Sequence, residues 1–272
     1  SCASCHSPYN AFAHTDHDLS HGINDEIGNR NAPALFNMAW QNVFMWDGAI
    51  KHLDQQALAP ISHPKEMGED IKQVVWKLQN SSLYRKLFYQ AFSDSTVTGE
   101  HLLKALAQFQ LTLVSGTAKY DKVQAGTASF TEQEKKGYHL FKQHCNSCHS
   151  EPLFSTYTFS NNRLPIDSSL NDLGKFHISQ QSSDSLLFKI PSLRNLSYSV
   201  PYMHDGRFKT LNQVLKHYTQ LLPPKKSNEL APIPLSSNEK VDLISFLLSL
   251  NDTAFVFNPK HQFPRYILST KQ

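Results

Sequence analysis

All four cysteines of the chain fall in two stretches of one pattern, Cys2-Ala3-Ser4-Cys5-His6 and Cys145-Asn146-Ser147-Cys148-His149. Two thiols two residues apart on one turn can bond the two vinyl groups of a haem, and the histidine directly after them is placed to become the proximal iron ligand. A single CxxC reads as readily as a redox pair or half a zinc site. Two copies, each followed by His and together using every cysteine, select covalent haem attachment and leave no thiol for a disulfide. Cys2, Cys5 and His6, with Cys145, Cys148 and His149, are therefore the expected cofactor-binding residues of a protein carrying two c-type haems. Attachment of this kind places the protein outside the cytoplasm, in a periplasm or its equivalent.

The first cysteines of the two motifs are 143 residues apart (145 minus 2). The elements that position them are accordingly expected as two cytochrome c-like haem domains in tandem, residues 1–122 and 123–272, in a mainly α fold. The division is expected in Gly116 to Ser129, a polar segment rich in small residues between two helical patterns. Thr131-Glu132-Gln133-Glu134 reads as a capping box opening a short helix that carries Tyr138 and Phe141 to the second motif. Ile71, Val74, Val75 and Leu78 form one helical stripe, and Leu102, Leu103, Leu106, Phe109 and Leu113 another. Ser236-Ser237-Asn238-Glu239 is a second capping box, starting a helix through Val241, Ile244, Leu247 and Leu248. Strand-like alternation is nearly absent. The Ser-rich segment Gln180 to Ser185 and the Pro-rich Leu222 to Pro234 read as long surface connections. The first motif has no helix ahead of it. The chain opens directly on that motif without a signal peptide, as a mature, processed or trimmed chain would.

Whether the irons only pass electrons or also do chemistry depends on what lies beside them. Arg30-Asn31-Ala32-Pro33, Phe44-Met45-Trp46-Asp47-Gly48, Leu53-Asp54-Gln55-Gln56-Ala57 with Pro60, and Pro64-Lys65-Glu66-Met67-Gly68 follow the first motif. Ile190-Pro191-Ser192-Leu193-Arg194-Asn195 and Pro201-Tyr202-Met203-His204-Asp205-Gly206-Arg207 follow the second. This set resembles the bacterial di-haem cytochrome c peroxidase and MauG superfamily over nearly the whole chain, lacking only the family's N-terminal helical segment.

The resemblance implies a peroxidatic, low-potential haem in residues 1–122 and an electron-transfer haem in residues 123–272. It implies that Glu66 and Gln56 lie over the distal face of the first haem, where a carboxyl group is suited to moving a proton between the two oxygens of a peroxide, with burial raising its pKa. Taken alone, Glu66 in a Pro-Lys-Glu stretch reads as a solvated loop acid. Trp46 resembles the family tryptophan between the haems, an electron relay; Trp40 and Trp76 read as buried aromatic anchors. His21, one of 14 histidines, falls where related peroxidases carry a histidine that plugs the first haem in the oxidised state, although a plain loop histidine is an equal reading. For the distal ligand of the second haem, Tyr218 and Met203 compete, with His217 a third option; a phenolate stabilises ferric iron and a thioether raises the potential. Asn31, Ser199 and Pro201 match positions that hold calcium between the domains, since amide and carbonyl oxygens suit that ion; Asn31 reads equally as a turn former.

Of 272 residues, 40% are apolar and the net charge is +3, enough for a sizeable core and without the clustered basic run of a nucleic-acid or membrane-surface binder. The longest apolar stretches, such as Ile244 to Leu250, fall short of the roughly 20 residues a bilayer span needs, so a soluble protein is expected. Three functions compete. The first is hydrogen peroxide reduction, with electrons from a small cytochrome c or cupredoxin. The second is MauG-like oxidation of a protein substrate. The third is a non-catalytic two-haem carrier, which has no need of Gln56 and Glu66. Related enzymes imply a homodimer.

Overall fold

The computed structural model describes residues 1–227 and 229–264. Helices dominate it, and the regular strands among those residues are two antiparallel pieces of two residues each, pairing Phe159 with Lys189 and Ser160 with Phe188. The expected helices are present with the predicted signals. Thr131 caps Glu132–His144 and Ser236 caps Ser237–Leu248, each box closed in both directions. Helices Ile71–Gln79 and Gly99–Thr112 carry the two apolar stripes.

Helices Glu132–His144 and Ser237–Leu248 pack face to face, and Gly137 is required where they cross, since a Cβ there would strike the Asp242 carbonyl. Around this crossing lies the core of the second half, in which Phe141 and Phe246 are wholly buried with ring centroids 5.1 Å apart. Tyr120 joins this core from helix Lys119–Gln124, which lies inside the segment expected as a polar boundary. A second cluster packs Ile71, Val74, Val75 and Leu78 against Phe88, Val97 and Leu102. A third unites Ala11, Phe12, Phe36 and Leu113 with Phe255 and Val256 from the far end of the chain.

Trp40 and Trp76 are not buried anchors but 52% and 63% exposed. Trp76 sits between the inward positions of its helix, off the three-and-four spacing of the stripe, and Trp40 ends the short 3-10 turn Met38–Trp40 at the surface. The Leu222 to Pro234 segment, of which Asn228 lies outside the described residues, is more than a connection: Leu230 and Ile233 line a central cavity, and Arg163 donates to the Leu222 and Leu230 carbonyls at 2.7 and 2.9 Å. The Gln180 to Ser185 segment contains a 3-10 turn whose Asp184 is buried and paired with Lys175 at 3.0 Å.

Asp252 ties the chain's far end to its middle. Its carboxylate, 1% exposed, accepts from the Ser115 hydroxyl, the Gly116 and Thr117 amides, the Thr117 hydroxyl and the Phe255 amide at 2.7 to 3.2 Å. Burial alone would raise its pKa, but these hydrogen bonds outweigh it and the group sits below the ordinary carboxylate value. Its stabilising contribution is therefore complete above that ordinary value and lost as pH falls through it towards the depressed one. Asp252→Asn is expected to cost about 2–3 kcal/mol at neutral pH, because an amide cannot accept from all these donors. The gap to the wild type should narrow in denaturant unfolding below about pH 4; equal stability at pH 7 would contradict the role.

Candidate functional site

The two CxxCH motifs fold into the same local turn. The backbone N–H of His6 bonds the Cys2 carbonyl at 2.8 Å, and that of His149 bonds the Cys145 carbonyl at 2.8 Å. Each imidazole is then fixed through Nδ1: His6 on the Phe12 carbonyl at 2.7 Å, and His149 on the Pro191 and Phe154 carbonyls at 3.1 and 3.2 Å. A carbonyl can only accept, so Nδ1 carries the proton and Nε2 is left with its lone pair for a metal. Burial lowers both histidine pKa values, that of His149 to about 4, keeping the rings neutral as ligation requires.

Cys145, Cys148 and His149 line a cavity of about 280 Å³. Its walls are mostly apolar, with Leu215, Leu243 and Leu247 among them, and it reaches Trp46 and Asn31 in the first half. An apolar cleft with two thiols and a neutral imidazole on its wall fits a covalently held haem. Tyr218 also lines it, near enough for both cysteine thiols to act on its hydroxyl, and burial pushes its pKa up to about 12. Met203 lines the same cavity, with its sulfur accepting from the Asn162 amide at 3.3 Å. His217 is turned elsewhere, its Nε2 against the Asn162 carbonyl at 2.9 Å.

Trp46 stands where the halves meet. Its indole N–H donates to the Asn31 carbonyl at 2.8 Å and its own carbonyl accepts from the Lys189 amide at 2.7 Å. Arg30 secures this region with charge: its guanidinium reaches Asp47 at 2.6 Å and grips Asp172 with two bonds at 2.6 and 2.9 Å. The buried Asn31 side chain donates to the Pro201 and Met203 carbonyls at 2.7 and 3.2 Å, while its own oxygen has no partner. Ser199 and Pro201 line the same cavity.

In the first half, Glu66 sits in the turn after helix Leu58–Ser62, with its amide on the His63 carbonyl at 3.0 Å. Its half-buried carboxyl lies 3.9 Å from His63 Nδ1 and acts electrostatically on the Cys5 thiol. Burial raises the Glu66 pKa, and His63 only partly offsets this. Gln56, 8% exposed, accepts from Gln110 at 3.2 Å. The His21 segment lies against Cys5 and Glu66: the His21 carbonyl faces the Cys5 sulfur at 3.8 Å, and the next-but-one amide, of Ile23, bonds the Glu66 carbonyl at 2.6 Å. Gly22 allows this approach, because any Cβ would run into the Lys65 and Glu66 carbonyls. The His21 ring is held by Asp25 through Nδ1 at 2.6 Å and stacks on His17 at 4.4 Å.

Sequence reasoning missed Gln110, Asn162, Tyr157 and Lys189. Lys189 lies one residue before the Ile190-Pro191 signature and between two apolar neighbours, a pattern that hints at an inward lysine. Gln110, Asn162 and Tyr157 carry no local signal, because their roles come from segments far away in the chain.

A family model described as di-haem cytochrome c peroxidase matches residues 1–129. The methylamine utilization protein MauG of Methylophilus methylotrophus is 37% identical over 262 residues, covering 93% of this chain and 77% of the relative. The cytochrome c551 peroxidase of Nitrosomonas europaea is 33% identical over 221 residues, covering 79% of this chain and 66% of the relative. Among solved structures, a MauG-like protein associated with microbial copper homeostasis superposes with a TM-score of 0.86 at 28% identity, covering 97% of this chain and 87% of that one. The diheme peroxidase BthA of Burkholderia thailandensis shares the fold with a TM-score of 0.80 at 21% identity, covering 94% and 82%. With both attachment turns formed and these likenesses spanning the chain, this protein belongs to the di-haem cytochrome c peroxidase and MauG family of oxidoreductases.

Proposed function

We propose that this chain is a periplasmic peroxidase reducing hydrogen peroxide to water, with peroxide chemistry in the first half and electrons entering through the second from a small cytochrome c or cupredoxin. The observation that carries this reading is the Glu66 carboxyl, which acts on the thiol of Cys5 next to His6 and whose pKa is raised by burial. A plain electron carrier has no use for such a group.

When bound, the haems supply iron that takes peroxide in one half and passes electrons in the other. The Glu66 carboxylate would take a proton from one peroxide oxygen and return it to the departing one, so that water leaves rather than hydroxide. Two electrons and two further protons complete the conversion of one peroxide into two waters. The raised pKa brings Glu66 closer to a pH at which it both accepts and donates. Gln56, braced by Gln110, is proposed to hold the substrate beside it. Trp46, fixed at its N–H and its carbonyl, is proposed as the relay between the halves. His21 is proposed as a displaceable ligand: Asp25 occupies Nδ1 and leaves Nε2, and withdrawing the ring means parting the 20–28 segment from Glu66.

For the second haem Tyr218, which lines the cavity and is acted on by both attachment cysteines, is proposed to hold the iron in preference to Met203. That tyrosine favours a second reading as well, MauG-like oxidation of a partner protein, because a phenolate favours the higher oxidation states. Calcium is proposed at Asn31 with Ser199 and Pro201: turning the amide by half a turn sets its partnerless oxygen beside the Pro201 and Met203 carbonyls, a set of hard oxygen donors. A homodimer belongs to the same proposal.

Glu66→Gln is expected to lower the rate of peroxide reduction, measured with reduced cytochrome c, by about 10²–10⁴-fold while leaving haem content unchanged; an undiminished rate removes Glu66 from the chemistry. By intact mass, the wild type is expected to carry two covalent haems and the Cys145→Ala, Cys148→Ala double variant one, with electron delivery from the donor lost. Two haems in that variant would refute the attachment assignment.

A further inference from the structure

The central cavity carries unbalanced charge. No Asp or Glu stands among its described lining residues, yet Arg194 and Lys189 both face it. Arg194 is paired, with Nη1 and Nη2 on the Asp121 carboxylate at 2.8 and 2.6 Å and Nε and Nη2 on the Pro152 carbonyl at 3.1 and 2.8 Å. Lys189 is not. Its ammonium gives one proton to Gln41 Oε1 at 2.6 Å and one to the Val43 carbonyl at 3.1 Å and stands 5.9 Å from the centre of the Phe44 ring, contacts that supply no full negative charge. The carboxylate that acts on it, Asp47, is taken by Arg30 at 2.6 Å. Burial accordingly pulls the Lys189 pKa down to about 8.

Tyr157 adds an unmatched donor on the same wall. It is 6% exposed, its buried hydroxyl has no hydrogen-bond partner, and its backbone sits in the left-handed region at φ 53°. Most buried hydroxyls are paired, and a side chain held in a strained conformation with its polar end orphaned points to a partner the chain itself does not provide. A haem fixed by Cys145 and Cys148 brings two carboxylates into this cavity, the charge and the acceptors that both groups lack.

We propose that Lys189 and Tyr157 hold the carboxylates of the second haem, the ammonium as an ion pair and the phenol as a hydrogen-bond donor. This rests on the reading that the haem of the second motif fills the central cavity. It also makes Lys189 a positioning residue for the relay. The same ammonium grips Gln41 and Val43, and the Lys189 backbone amide bonds the Trp46 carbonyl at 2.7 Å, so the haem edge and the segment carrying Trp46 are fastened by one residue.

The test is spectroelectrochemical titration of the two-haem protein, with resonance Raman of the haem carboxylate bands. Removing a positive charge beside a haem favours the more positive ferric state. Lys189→Met is therefore expected to shift the oxidation equilibrium of the second haem about tenfold towards ferric, a fall of about 59 mV, with the first haem unmoved. Tyr157→Phe, which removes one oxygen atom, is expected to shift the carboxylate bands of the second haem at unchanged haem content. An unchanged potential in the first variant or unchanged bands in the second overturns the assignment, and if Lys189→Met does not fold, Tyr157→Phe decides alone. A mass count of one haem in the wild type would instead strike at the reading of the cavity itself.

Discussion

One guanidinium holds the two halves of this protein in register. Arg30 reaches Asp47 seventeen residues on and Asp172 in the second half, 142 residues away. A bidentate grip fixes direction as well as distance. Breaking it by removing one partner would strand a largely buried charge, which costs far more than the intact pair returns. The residues on either side inherit this constraint. Asn31 follows Arg30 and meets the carbonyls of Pro201 and Met203, while Trp46 precedes Asp47 and is bonded to Asn31 and Lys189. The segment from Arg30 to Asp47 is thus tied to the second half by charges and hydrogen bonds that cross between them.

The carboxyl groups show how one chemical group is set to different tasks. Asp172, Asp252 and Glu151 are all penalised by burial, yet hydrogen bonds from Arg30, from Thr117, and from Lys142 with Tyr120 and Tyr138 outweigh it and keep their pKa values low. These three are permanent anions of the scaffold. Glu66 is half-buried without comparable donors, and His63 at 3.9 Å compensates only in part, so its pKa rises. The opposite shift at Glu66 is produced by withholding the partners that the other three carboxylates receive.

Much of the fold is legible in the sequence because its signals are local. The capping boxes at Thr131 and Ser236 and the stripes at Ile71 and Leu102 are read within a single turn or two, and the attachment turns need only five residues. The surface position of Trp76 follows from the same periodicity, which excludes it from the inward stripe. The role of the Leu222 to Pro234 segment was not legible, because an irregular segment is placed by what it covers and carries no period of its own.

The sequence by itself determined two haem-attachment turns, a helical architecture and membership in a family, since covalent chemistry and helix caps depend on residues a few positions apart. Only the tertiary structure decided what surrounds those turns. The carbonyls that fix the proton on His6 and His149, the two acids that Arg30 joins, the burial that raises Glu66 and the inward ammonium of Lys189 all arise from contacts between distant segments. Their strength depends on distance and on exclusion of water, quantities that exist only once the chain has closed on itself.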